Sequence, residues 1–384
     1  MTKKAYEDVK LKTFKAKVLQ IIEDKDTTWV VTDSTIFYPL GGGQEPDRGT
    51  LGGSQVLFVK EEEGTIYHEV KDVTFKEGDE VEQVIDYNRR YDFMVQHTGE
   101  HILTGIITQD YGLNNVGFHI GEKSMRIDYD GMLTEDELKA AVYKANEAVR
   151  QGLQVKAYYP NDEEIKETPY RFKKEILEDI RLVDIPGVDM CACCGTHVEN
   201  TREVGVILVA SKENYKGGLR LNVLCGDRAL DFFYSLYEDS EKVSQLMSAP
   251  MLGTAPAVAR LQEDLKVTRK TLGHQEAELV ELKAESLEEA DVIIIETQFS
   301  KRGLEDFLKR GMGKVKDTLV LLTPEEEGLS FLMMSHERDL REITKDLNET
   351  FQGRGGGKPQ RTQGKLQGKL DEVKTFIERR LTNG

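Results

Sequence analysis

The sequence predicts an α+β protein in four parts. These are a small N-terminal β-barrel-like domain (1–88), an α+β domain (89–238), a helical or coiled-coil arm (239–290) and a C-terminal α/β domain (291–384). Three observations lead there. Short runs of β-branched and aromatic residues between Gly and acidic turns fill the first 88 positions. From Tyr87 onward, helical and strand-like runs alternate. Residues 258–282 carry apolar side chains three and four apart, the spacing of a helical seam.

Trp29-Val30-Val31-Thr32, Val56-Leu57-Phe58-Val59 and Thr65-Ile66-Tyr67-His68 read as strands. A glycine-rich loop at 38–49 lies between them. A helix is expected over 89–108, and a second opens at Thr134, a good N-cap followed by an acidic first turn. Strands follow at 153–159 and 204–209, then a helix at 229–238. The seam runs Val258, Leu261, Leu265, Thr268, Leu272, Gln275, Leu279, Leu282, interrupted by two polar members and Gly273. It suits an antiparallel arm or a dimerising coiled coil, the arm being slightly favoured. Beyond it, strands are expected at 292–295, 319–322 and 329–333, with helices at 304–309, 338–347 and 366–381 and a glycine loop around 353–357.

The chain holds 69 acidic and 52 basic residues, a net charge of −17, and its mean hydropathy is −0.48. Broad electrostatic attraction to nucleic acid is therefore disfavoured, and any RNA contact must be local. No apolar segment follows the first lysines and none nears the roughly 20 residues that span a bilayer, so a cytoplasmic protein without membrane contact is expected. Three of the four cysteines crowd into Cys191-Ala192-Cys193-Cys194. That pattern suits a metal or redox site rather than a disulfide framework.

Two pairs carry the chemistry. In His97-Thr98-Gly99-Glu100-His101 the imidazoles sit at i and i+4, on one face of a helix. In Cys193-Cys194-Gly195-Thr196-His197 a thiol and an imidazole are again four apart. Together they offer three nitrogens and one sulfur, a donor set for tetrahedral zinc. A redox role for the Cys191/Cys194 C-x-x-C pair would leave the histidines unexplained. The first pair also matches H-x-x-E-H, in which Glu100 would activate a metalloprotease water. That reading assigns nothing to Cys193 and His197, and Glu100 reads better as a solvated helix carboxylate.

The combination of Gly41-Gly42-Gly43-Gln44, the 97–101 motif and the 193–197 motif resembles the editing domain of alanyl-tRNA synthetase. It resembles still more closely the free-standing alanyl-tRNA editing proteins of the long form. Residues 184–189 and 200–205 support the likeness, and the seam, the α/β segment and residues 355–359 resemble the synthetase's C-terminal region, so nearly the whole chain is covered. The resemblance implies zinc on His97, His101, Cys193 and His197. It implies hydrolysis, in trans, of tRNA(Ala) mischarged with serine or glycine. Cys194 departs from the family's usual Gly and leaves the identity of the sulfur ligand to be decided among Cys191, Cys193 and Cys194, with Cys193 favoured by register.

The same resemblance implies an editing pocket at Gln44, whose amide would meet the substrate; the alternative is a solvent-facing Gln44 after a tight turn. Gln44 and Thr98 are the candidate catalytic residues, and Gly42, Gly43 and His119 the candidate substrate-binding ones. For tRNA, residues 353–384 carry eight basic and three acidic side chains, reversing the chain's overall sign. Arg354, Lys358, Arg361 and Lys365 are the candidates there, with Lys216 and Arg220 flanking Gly217-Gly218. A homodimer through the C-terminal half is a further expectation. A non-catalytic tRNA-binding protein with structural zinc is the runner-up to the deacylase, ahead of the metalloprotease.

Overall fold

The computed structural model describes residues 1–25, 27–172 and 180–382. The chain is mixed α+β and divides into two compact units, Met1–Glu241 and Lys242–Gly384.

In the first unit six strands close into a barrel. Its order is Thr13–Asp24, Thr27–Thr32, Thr65–Lys71, Ser54–Glu62, Gly49–Leu51, Glu80–Ile85, returning to the first. The alternation of the Thr65–Lys71 strand sends Ile66, His68 and Val70 inward. They join Val30, Val56, Val59, Leu51 and Phe37 in the barrel core.

Helix α1 (Tyr87–Tyr111) then crosses the middle of the unit. Asp86 caps it by accepting from the Arg89 N–H, and Gly112 ends it in the left-handed region at φ 70°. Most of α1 is buried on every side, including Gln96, His97, Thr98, Glu100, His101 and Thr104. Against it packs α2 (Glu135–Gln151), which opens on a Thr134–Glu137 capping box; the short α3 (Asp162–Glu167) follows in the chain. A four-stranded antiparallel sheet, ordered Ile207–Tyr215, Gly218–Cys225, Met125–Tyr129, Asn115–Ile120, belongs to the same core. So does a three-stranded sheet of Lys156–Tyr158, Leu182–Ile185 and Asp189–Ala192. Helix α4 (Asp227–Met247) carries the chain into the second unit.

In the second unit α5 (Thr254–Glu285) runs unbroken through Gly273. It is followed by α6 (Lys301–Gly311), α7 (Arg341–Thr350) and α8 (Leu370–Thr382). The sheet order is Ala290–Glu296, Val315–Pro324, Leu329–Ser335, Arg361–Leu366, Arg354–Lys358, with only the first pair parallel. The central strand Val315–Pro324 feeds both faces. Val320 and Leu322 pack with Leu340, Leu347, Val373 and Ile377 of the α7–α8 side, while Leu319 and Leu321 pack with Val280, Phe307 and Leu308 of the α5–α6 side.

Several elements differ from the sequence reading. The strand expected at 204–209 is a 3₁₀ turn, Thr201–Val204, followed by a strand from Ile207. An Asn200–Glu203 capping box fixes that turn, and its side chains compete with extended backbone. The strand expected at 153–159 shrinks to Lys156–Tyr158. The glycine loop at 353–357 is a strand, and the last helix starts at Leu370 because Leu366 still belongs to the sheet.

Candidate metal centre and pocket

The four donors expected from sequence meet inside the first unit. His97, His101, Cys193 and His197 are all buried, and one ligand atom from each lies within 4.8 Å of the others. The Cys193 Sγ is 3.5 Å from His97 Nε2 and 3.5 Å from His197 Nε2. Metal–ligand bonds of zinc length in a tetrahedron separate donors by roughly 3.3–3.8 Å, so these spacings fit that ion. The centre comes together because α1 presents two imidazoles one turn apart, while the turn after the Asp189–Ala192 strand brings the thiol and third imidazole against them. That turn needs Gly195, since a Cβ there would lie 2.1 Å from His97 Cε1. Arg181, itself buried, donates to the carbonyls of Cys193 and Gly195 at 3.0 and 2.9 Å and holds the turn shut.

Each imidazole is gripped at its outer nitrogen by a different side chain. Asp189 Oδ2 accepts from His101 Nδ1 at 2.7 Å, and Arg171 holds the same carboxylate with two bonds of 2.7 Å. Gln44 Oε1 accepts from His97 Nδ1 at 3.1 Å while its Nε2 donates to Thr196 Oγ1 at 3.0 Å. Thr98 Oγ1 lies 3.5 Å from His197 Nδ1 and accepts from the Val198 N–H at 3.1 Å. With Nδ1 engaged in this way, the Nε2 lone pairs of the rings turn inward, the arrangement metal-binding histidines require.

The electrostatics put negative charge on the sulfur and a compensating proton on one imidazole. Burial alone would raise the Cys193 thiol, but the neighbouring His97 charge and hydrogen bonds from His101 and His197 hold it well below the usual thiol range. Burial and the His97 charge push His197 down to about 3. Burial opposes charge on His101 too, but Asp189 and Cys193 outweigh it and lift it to about 9. Cys191 is buried and its thiol is pushed up, mainly by burial, while Cys194 is exposed at the pocket rim. A second grouping, His101, Asp189 and Cys191, also lies close, but the Asp189 charge is already engaged by Arg171.

Beside the centre is a pocket of about 470 Å3, lined by Gly42, Gly43, Asn115, Phe118 and Cys194 together with His97, His101 and Cys193. Its glycine wall is a tight turn in which Gly41 and Gln44 exchange backbone hydrogen bonds, and Gly43 O accepts from the Ile120 N–H at 2.7 Å. Gly43 has φ 79°, and a Cβ on it would strike the Phe118 ring at 2.5 Å. Phe118 in turn lies 5.1 Å from the His97 ring. A larger groove of about 1010 Å3 on the barrel, along Leu57, Phe75 and Lys76, brings together no such donor set among the described residues.

Gln44 and Thr98 thus reach the centre from behind the histidines. Gln44 is fully buried, not solvent-facing. Glu100, read from sequence as a solvated carboxylate, is fully buried as well. Its Oε1 accepts from Thr104 Oγ1 at 3.0 Å and Asn115 Nδ2 at 2.5 Å. His119 is not drawn into the centre. It sits half-exposed on the strand face opposite Phe118, its Nε2 4.0 Å from Glu45. Arg220 is held by Asp128 at 2.6 and 2.8 Å and stacks on Tyr215, with Lys216 over the same ring. In the second unit Arg354 pairs in register with Lys365, and Lys358 with Arg361, so the four form a basic hairpin. Arg361 is ion-paired to Glu305 and Lys365 to Glu325, whereas Arg354 and Lys358 have no carboxylate partner among the described residues. From sequence, Asp189 entered only as the end of the 184–189 stretch that supports the resemblance, with no role assigned, and Arg171 and Arg181 were not singled out.

Residues 180–222 match the family model described as threonyl and alanyl tRNA synthetase second additional domain, and residues 2–89 match that of class II (A) tRNA synthetases. Fold and site thus define a protein of the class that carries this synthetase-type additional domain. The chain is 30% identical to the alanyl-tRNA editing protein AlaX-L of Pyrococcus horikoshii, over 96% of this chain and 95% of that protein. It is 29% identical to the alanyl-tRNA editing protein Aarsd1 of Danio rerio, over 90% and 87% respectively. The alanine–tRNA ligase of Methanopyrus kandleri is 28% identical over 94% of this chain and 42% of its own length. The chain belongs to the alanyl-tRNA editing protein family.

Proposed function

We propose that this protein is an aminoacyl-tRNA deacylase that removes serine or glycine, in trans, from mischarged tRNA(Ala), with zinc on His97, His101, Cys193 and His197. The observation that carries the reading is the buried three-nitrogen, one-sulfur cluster at the wall of a pocket of about 470 Å3. That volume falls in the range of roughly 300–1,000 Å3 usual for small-molecule sites and suits the aminoacylated end of a tRNA. The selectivity problem also favours hydrolytic editing. A pocket sized for alanine rejects smaller or hydroxylated analogues by only about a hundredfold, and a second hydrolytic site makes up the difference.

Bound zinc would supply Lewis-acid polarisation of the ester carbonyl or a water of lowered pKa. The chain's own residues do the rest. Asp189, Gln44 and Thr98 hold Nδ1 of the three rings and aim Nε2 inward, so they are positioning residues; at His101, lifted to about 9, a bound cation would take the place of a proton. Phe118 covers one side of His97 and excludes water from it. Gly42 and Gly43, both at positive φ, form the wall along which the ribose and acyl group would lie, and a Cβ on Gly43 would displace Phe118 from that wall. Asn115 lines the pocket and ties it to the buried Glu100 carboxylate. The unpaired Arg354 and Lys358 are the stronger phosphate contacts of the basic hairpin; at Arg220, Arg361 and Lys365 a phosphate would compete with a carboxylate already present. Leu261, Leu265, Leu272, Leu279 and Leu282 of α5 are all exposed, which favours a homodimer through this helix over an intramolecular arm. A cytoplasmic setting, where charged tRNA is used, fits the absence of any helix long and apolar enough to cross a membrane among the described residues.

The test is deacylation of seryl-, glycyl- and alanyl-tRNA(Ala) by wild type, by chelated protein and by chelated protein with metal restored. Loss on chelation and recovery with zinc is the expected result. Full activity in protein shown by elemental analysis to be metal-free would overturn it.

A further inference from the structure

A notch of about 290 Å3 lies where α5 crosses α6 in the second unit, lined by Arg269, Lys270, Gly273, His274 and Arg302, with Glu276 and Asp306 at its edges. Three features of it are unexplained by packing. First, Arg269, Lys270 and Arg302 have no carboxylate within ion-pairing distance among the described residues, in a chain whose net charge is −17. The stretch from Leu265 to Gln275 holds four basic or imidazole side chains and no acid. Second, Glu276 is already committed. Its carboxylate accepts from both the N–H and the Oγ of Ser300, the N-cap of α6, and so locks the crossing without neutralising the arginines. Third, Gly273 stands in the interior of a 32-residue helix, where glycine is among the poorest helix formers, and a Cβ there would meet nothing within 4 Å. Internal packing therefore gives no reason for the missing side chain; an incoming ligand that approaches the helix backbone does.

We propose that the α5–α6 notch is a binding site for the phosphodiester backbone of tRNA, with Arg269, Lys270 and Arg302 contacting phosphate and Gly273 letting the strand lie against α5. The inference rests on the tRNA-editing reading above and adds a contact site to it. Arginine suits the role because its planar fork takes two phosphate oxygens at once. The site also borders the basic hairpin. Glu305, one turn along α6 from Arg302, is the residue that pairs with Arg361. The notch and the hairpin thus line up along one helix of the second unit.

The experiment is equilibrium binding of uncharged tRNA(Ala) to the full chain across a salt series, for wild type, the double variant Arg269→Gln/Arg302→Gln, the conservative Arg269→Lys/Arg302→Lys, and Gly273→Gln. Each phosphate contact contributes about 0.7–0.9 to the slope of log K against log salt. The Gln double variant is expected to flatten the slope by about 1.5 and to weaken binding several-fold, while the Lys variant retains most of the slope. Gly273→Gln, a better helix former than glycine, is expected to fold at least as stably and still weaken binding. A surface control, Lys316→Gln, is expected to change the slope little. The proposal falls if the Gln double variant keeps the wild-type slope, or if the control loses as much. Binding is read without turnover, so the two readings separate. A wild-type protein that binds tRNA but leaves seryl-tRNA intact refutes editing; one that edits while notch and wild-type affinities coincide refutes the notch.

Discussion

Of the three side chains that hold the proposed histidine ligands from behind, Asp189 should loosen the metal most when replaced. The carboxylate is almost wholly buried, accepts from His101 Nδ1 at 2.7 Å and is clamped by Arg171. A charged acceptor makes a hydrogen bond about twice as strong as a neutral one, and removing the partner of a metal-binding histidine costs about 10–100-fold in metal affinity. Asp189→Ala should sit at the upper end, near 100-fold, or about 2.7 kcal/mol. Gln44→Ala, which removes a neutral bond of 3.1 Å, should cost about 10-fold. Thr98→Ala should cost less again, because its oxygen is 3.5 Å from His197 Nδ1, at the limit of a hydrogen bond. Asp189→Asn keeps an acceptor but loses the charge and should fall between the first two. Asp189→Ala also strands Arg171. Breaking a fully buried pair costs about 3–5 kcal/mol, and because the Arg171 side chain is 19% exposed the loss should be nearer 2–3. The assay is competition for zinc with a chromophoric chelator, paired with urea unfolding of the metal-free proteins. Equal zinc affinity across the three alanine variants, or no loss in any, would refute the argument that these side chains orient the donors.

Other outcomes follow from the same geometry. Gly195→Ala should drive a methyl into the His97 ring and abolish stoichiometric zinc, measured by elemental analysis of protein whose circular dichroism is still native. Arg90→Ala should destabilise the first unit by about 3–5 kcal/mol, read from the urea midpoint, because it leaves Asp47 buried without its ion-pair partner at the join of the glycine-loop segment and α1. His68, buried in the barrel, is held down to about 4, chiefly by burial, with the Val30 carbonyl opposing. The unfolded chain therefore takes up that proton first, so the His68 contribution to stability should be constant above about pH 6.5 and fall by up to about 1.4 kcal/mol per unit as pH drops from 6.5 toward 4. His68→Gln should flatten that part of the profile, and an unchanged acid slope would show that other groups produce it.

What could be read from the sequence was local. The His97/His101 pair is legible because helix geometry alone puts i and i+4 on one face, and the Cys193/His197 pair because the turn between them is short. The α5 seam and the barrel strands are legible for similar reasons of period. The groups that make the donors fit for a metal come from far along the chain. Asp189 is 88 positions from His101, and Gln44 is 53 from His97. No spacing rule links such pairs, and an isolated Asp in a strand carries no mark of its partner. The glycines at 353–357 were misread for a different reason. Glycine weakens strands in general, but here Gly355 lies over the Phe331 ring and opposite Gly364, where any Cβ would collide. Only the tertiary neighbour makes glycine a strand residue at that point.

The polar interior of α1 ties these strands of reasoning together. A 25-residue helix buried on nearly all sides should be apolar, yet this one buries Gln96, Thr98, Glu100 and Thr104 along with two histidines. Each such group would cost free energy if left unpaired. Gln96 bonds both backbone groups of Cys225, Thr98 takes the Val198 N–H, and Thr104 links Glu100 to Tyr129. Those partners belong to the strands and turns that surround the helix, so the polar face fixes the rotation and register of α1 against them. A purely apolar helix could slide or turn by a fraction of a residue at little cost. This one cannot without breaking several buried bonds at once, and the two imidazoles it carries are thereby held opposite Cys193 and His197 by the fold itself. The same 28-residue apolar cluster that stabilises the unit surrounds these bonds. The donors are therefore arranged before any ion arrives, which is what separates a site that a core supports from a small zinc module that folds only around its metal.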